Sequence, residues 1–97
     1  MKAPNDLLRE LEAIVCQMIE LPEDWRQRKT SDAANARSLI INTLYRKCGW
    51  SRSQIATKLK MSNALVSKHI STFEDRCYAF MSVEGFYKQI ENELETK

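Results

Sequence analysis

The run Ser51-Arg-Ser-Gln-Ile55-Ala-Thr-Lys-Leu-Lys60-Met-Ser-Asn-Ala-Leu65-Val-Ser-Lys-His-Ile70-Ser-Thr-Phe73 contains two helix starts in quick succession. Ser51-Arg52-Ser53-Gln54 has the pattern of a capping box, in which the first and last side chains satisfy each other's free backbone amides. Trp50 before it and Ile55 within it suit a hydrophobic staple. Ser62 repeats the signal, with Met61 and Val66 in the equivalent positions. The first helix therefore lasts only to about Leu59, and a turn at Lys60 and Met61 leads into the second. Ile55 and Leu59 give the first helix an apolar edge, and Val66 and Ile70, four apart, give one to the second. Ala56 is small where two helices would cross closely. Two short helices joined by a tight turn, the second polar on its outer face, form a helix-turn-helix. One local feature is costly. The turn position usually held by glycine is Lys60, which in a left-handed conformation gives up roughly 1 kcal/mol.

The flanks read as helix as well. Upstream, Ser31 or Asp32 caps a helix over 31–48 whose apolar residues run Ala36, Leu39, Ile40, Ile41, Leu44, Tyr45 and Cys48. Gly49 supplies its left-handed end. Before it, Asn5 or Asp6 caps an amphipathic helix over 1–21, with Leu7, Leu8, Leu11, Ile14, Val15, Met18 and Ile19 as its stripe and Pro22 as its stop. A closing helix spans 82–95, stapled by Met81 and Phe86 and buried through Ile90 and Leu94. There is no sustained apolar–polar alternation and no Asn-Gly or Asp-Gly hairpin turn. The expected fold is all-α: one small helical bundle of 97 residues with the helix-turn-helix over 51–73 at its centre.

Charge separates the function classes. Residues 26–72 carry ten Lys/Arg against Asp32 alone, a net of +9, while both flanks are acidic and the whole chain is only +2. A solvated surface mixes its signs, so this block points to a polyanionic partner. With the motif inside it, the partner is double-stranded DNA. The start of the second helix would enter the major groove, offering Ser62, Asn63, Ala64, Ser67 and Lys68 to base edges. Asn63 can pair bidentately with adenine, Lys68 can donate to guanine and Ala64 can lie against a thymine methyl. Arg52, Ser53 and the free amides from Ser51 onward suit phosphates, because a helix N-terminus attracts anions. A plainer role exists for some of these groups, since Ser62 and Asn63 are also good caps. His69 reads as a partly buried spacer rather than a phosphate contact or pH switch. Trp25 and Trp50, each beside a helix start, suit staple or core roles better than base stacking.

Other classes find no support. Histidine–cysteine pairs, glycine-rich phosphate loops and paired carboxylates in a cleft are missing, so no enzyme and no cofactor are expected. Cys16, Cys48 and Cys77 are far apart and unpaired in pattern; Cys16 and Cys48 fall where core residues would, so all three read as structural thiols. With one histidine, a zinc site is not expected. No apolar run reaches the roughly 18 residues of a membrane span, and no secretory signal opens the chain, so a cytoplasmic, nucleoid-associated protein is expected. The alternative of another class is a protein-interaction module: Leu7, Leu11, Ile14 and Met18 are spaced to form a homodimer seam or partner surface as well as a core stripe.

From Lys29 onward the order of residues resembles the C-terminal DNA-binding domain of the bacterial replication initiator DnaA, of the Trp-repressor-like superfamily. Ala36-Arg37 opens an apolar helix that leads through Cys48-Gly49-Trp50 to Ser51-Arg52-Ser53-Gln54-Ile55 without a gap, and Val83 to Leu94 is similar to the family's closing helix. The resemblance implies a minor-groove arm at Arg28 and Lys29 and a phosphate contact at Arg37. It puts Arg52 and Ser53 near the DNA backbone, and Asn63, Ala64 and Leu65 at the base readers. There the chain departs from the family: Ser62-Asn63-Ala64-Leu65 stands in place of Asp-His-Thr-Thr/Ser, and Lys60-Met61 in place of Gly-Gly. The family's usual DNA site is therefore not carried over. The implied role is a DNA reader in replication control or transcription, bacterial or phage, without the ATPase motor.

Overall fold

The computed structural model describes residues 4–19 and 31–95, which fold as six helices with no strand among them. They are α1 (Pro4–Met18), α2 (Ser31–Arg46), α3 (Arg52–Leu59), α4 (Asn63–Ser71), α5 (Phe73–Ala79) and α6 (Met81–Glu95). None is long and apolar enough to cross a membrane. The expected all-α bundle is what forms.

α2 is the axle of this bundle, in contact with each of the other five helices. A helix surrounded on every side must be apolar on every side or satisfy its polar groups internally. Ala33, Ala36, Leu39, Ile40, Ile41 and Leu44 supply the first condition. Ser38, Asn42 and Thr43, equally buried, meet the second. Thr43 Oγ1 donates to the Leu39 carbonyl at 2.7 Å, and Asn42 Nδ2 donates to the Ser38 carbonyl at 2.8 Å. Asn42 Nδ2 also reaches the His69 carbonyl at 3.1 Å, while Arg46 Nη2 reaches the Ile70 carbonyl at 3.3 Å. The last carbonyls of a helix lack partners within it. Two side chains of α2 thus hold the C-terminal end of α4 in place.

Several boundaries differ from expectation. α1 begins at Pro4, so Asn5 and Asp6 lie in its first turn rather than capping it. Proline is favoured there because its missing N–H would have no partner anyway. Asn5 Oδ1 instead accepts from Lys58 Nζ at 2.9 Å, tying α1 to α3. The helix stops at Met18, not at residue 21, with a bend at Ile19, whose side chain is buried in the core; Pro22 lies outside the described residues. α2 stops at Arg46, two residues early, in a turn closed by Gly49 at φ +74°. The run expected to continue through Phe73 breaks at Thr72, whose N–H and Oγ1 both donate to the Lys68 carbonyl, at 3.0 and 2.7 Å. Such local side-chain bonding competes with helix propagation. An unforeseen helix, α5, follows.

The stripe on α1 is committed inward. Leu11 and Ile14 are buried in the core and Leu7 and Met18 pack against its edge, so these side chains do not form an open seam. Trp50 is also core, at 7% exposure. Cys16, expected inside, is exposed, because it falls on the outer side of α1; Cys48 and Cys77 are partly buried. All three thiols are free.

Both helix starts of the central motif carry the serine cap that the sequence indicates. Ser51 Oγ accepts from the Gln54 amide and Ser62 Oγ from the Leu65 amide, each at 3.1 Å. Between them Lys60 is left-handed, at φ 56° and ψ 46°. The Met61 amide returns to the Ala56 carbonyl at 2.9 Å and the Lys60 amide to Thr57 at 3.4 Å, the paired bonds of a Schellman end. Lys60→Gly is expected to stabilise the fold by about 1 kcal/mol, because only the lysine bears a Cβ penalty there. In a domain of this size that raises Tm by roughly 4–8 °C. Thermal unfolding checks this, and an unchanged or lower Tm would remove the strain argument.

Candidate nucleic-acid interface

Fixing α4 against α2 decides which of its side chains face out. Val66, His69 and Ile70 are buried. On the opposite side Asn63, Ala64, Lys68 and Ser71 are exposed, with Ser67 partly so. These positions share one face at helical spacing. Of the expected base readers, Asn63, Ala64, Ser67 and Lys68 therefore lie together. Ser62 sits at the head of this face and is exposed, with its oxygen already accepting the cap bond from Leu65.

Arg52 and Ser53 are exposed in the first turn of α3. The Arg52 guanidinium lies 5.2 Å from the centroid of the Tyr45 ring, a cation–π contact that steadies a long side chain while leaving its edge open. Arg28 and Lys29, the expected minor-groove arm, lie outside the described residues.

Arg37 departs from the simple picture of a surface phosphate contact. On α2 it is only 9% exposed, and it lines a cleft of about 170 Å³ between α2, α4 and α5. Ala34, Leu65, Lys68, His69, Thr72 and Arg76 complete the lining. Lys68 thus stands at the border between the outer face of α4 and this cleft. Burial, and then the neighbouring Arg76, lower the pKa of the Arg37 guanidinium from its usual value.

His69 forms the floor. It is more than a spacer: only 5% exposed, it shares a 2.7 Å hydrogen bond between Nδ1 and Ser38 Oγ, joining α4 to α2. Burial first, then the positive charges of Arg37, Arg76 and Lys68, push its pKa down to about 4. The ring is neutral at neutral pH. Arg76 is held by its Nη1 donating to Asn35 Oδ1 at 2.8 Å.

Reading the sequence as far as Phe73 missed Arg76, which by sequence belongs to the acidic tail. The signal was there, since Lys68, Thr72 and Arg76 recur every four residues and share a helical side if the turn at Thr72 is slight. Asn35 and Ser38, short polar residues in an apolar helix, were equally informative.

The chain matches no protein-family model, no curated protein and no solved structure.

Proposed function

We infer that this protein binds double-stranded DNA in a sequence-specific manner, with α4 in the major groove, and acts in replication control or transcription. The observation that carries this reading is the exposed face of α4, with Asn63 and Ala64 at its head, Lys68 further along it and no acid in its first turn. The two serine caps and the left-handed Lys60 set the entry angle of that helix. Arg52 and Ser53 then meet the backbone on one side of the groove. The similarity in residue order to the C-terminal domain of DnaA supports the same reading, with a different set of base readers.

The test separates reading from holding. Removing a bidentate base contact costs about 1–3 kcal/mol at one base pair and leaves backbone binding intact. Asn63→Ala is therefore expected to narrow the gap between a selected duplex and a scrambled one. Arg52→Ala is expected to weaken both by similar factors. Ser62→Ala is the control, since loss of that cap costs about 1 kcal/mol of helix stability without removing a base contact. Should Asn63→Ala lower both affinities equally, α4 does not read bases at Asn63 and sequence specificity loses its main support.

A further inference from the structure

We propose that the cleft between α2, α4 and α5 is an oxyanion seat in which Arg37, Lys68 and Arg76 converge above His69 to clamp one backbone phosphate of the bound DNA. The proposal rests on the DNA-binding reading for the source of the phosphate, but the seat itself follows from the cleft. Three cations border one small hollow, and among the described residues lining it there is no carboxylate. Like charges gathered around a partly desolvated space repel one another, and a bound anion reverses the sign of that interaction. The hollow is about 170 Å³, below the roughly 300 Å³ at which pockets begin to take organic ligands. A single tetrahedral oxyanion is the class that fits both size and charge.

Two orphaned atoms point the same way. Arg76 is anchored through Nη1 to Asn35, yet its buried Nε has no acceptor. His69 is anchored through Nδ1 to Ser38, yet its buried Nε2 has no partner. Buried polar atoms left unpaired are costly and uncommon. In the tautomer in which Ser38 donates to Nδ1, the neutral ring carries its proton on Nε2 and presents a donor; this is the tautomer an oxyanion in the cleft selects. An oxyanion in the cleft accepts from both atoms at once. Lys68, at the cleft and so assigned here to a phosphate in place of the guanine contact expected of it, connects this seat to the outer face of α4, so a phosphate held here flanks the groove that α4 enters.

His69 is the sole histidine, so its ring resonances in an NMR spectrum are unambiguous. Addition of inorganic phosphate should shift them saturably, whereas chloride at matched ionic strength should not. A duplex should shift them as well. Arg76→Gln should abolish the phosphate response, lower affinity for selected and scrambled duplexes alike by about tenfold, and flatten the log–log salt slope by about 1. Lys68→Gln, at an exposed position on α4, should act in the same direction and guards against a folding defect at Arg76. Tight duplex binding with an unmoved His69 ring and unchanged affinity in both variants would overturn the seat and leave DNA binding standing. A ring that answers inorganic phosphate but not duplex, with duplex affinity unchanged in both variants, would overturn the backbone source in favour of free phosphate. Absence of duplex binding by the wild-type chain, with the phosphate response intact, would instead remove the DNA reading and leave a free-oxyanion site.

Discussion

Raising the salt concentration from 50 to 200 mM is expected to weaken duplex binding by between about 250-fold and 16,000-fold. The estimate comes from roughly five to eight phosphate contacts, each releasing condensed counterions, for a log–log slope of about −4 to −7. The basic block supplies the contacts, with ten Lys/Arg across residues 26–72 and one acid. Several are committed within the fold. Arg46 bonds to Asn42 and to the Ile70 carbonyl and lies over the Phe73 ring, and Lys47 pairs with Glu91 at 3.0 Å. Those two brace α2 against its neighbours and add little to a DNA surface, which argues for the shallower half of the range. Arg52, Lys60 and Lys68 are exposed around the motif, and Arg76, from the acidic tail, joins Arg37 at the cleft. Fluorescence anisotropy with a labelled duplex, repeated at several salt concentrations, measures the slope. A slope near zero would rule out DNA as the partner, because no neutral contact set reproduces counterion release.

The same residues show what could be read before any coordinates. Capping and turn chemistry act over four or five residues, so Ser51, Ser62, Gly49 and even the strained Lys60 were legible one by one. Hydrophobic period was legible too, which is why the α1 and α2 stripes fall in the core. What escaped was decided across the bundle. Arg37 looks like a surface cation in sequence, and only the packing of α4 and α5 over α2 turns it into the wall of a cleft. Cys16 looks like a core residue by apolar character, yet it falls outside the arc that α1 buries. α5 was hidden because Thr72 breaks the run through a side-chain bond to Lys68, a choice that propensity does not encode. His69 is the clearest case: its environment is assembled from Ser38, Arg37, Lys68 and Arg76 on three helices.

That environment makes the fold sensitive to acid at one identifiable residue. The folded protein holds His69 near a pKa of about 4, against 6.5 for a free imidazole. Between those values the unfolded chain takes up a proton that the folded chain refuses, so stability falls as pH falls. The loss begins near pH 6.5 and is complete below about 4, where it amounts to about 3 kcal/mol. Charge explains the resistance as well as burial does, since an imidazolium here would face Arg37, Arg76 and Lys68 at once. Asp and Glu side chains titrate over part of the same range, so the informative quantity is a difference between two proteins. In His69→Gln the side-chain amide can still meet Ser38, but it has no proton to gain. Denaturant unfolding of both proteins from pH 7 to pH 4 should show the wild-type chain losing about 3 kcal/mol more than the variant. Parallel pH profiles for the two proteins would mean that His69 takes up its proton without resistance in the fold, and that the three cations do not act on it.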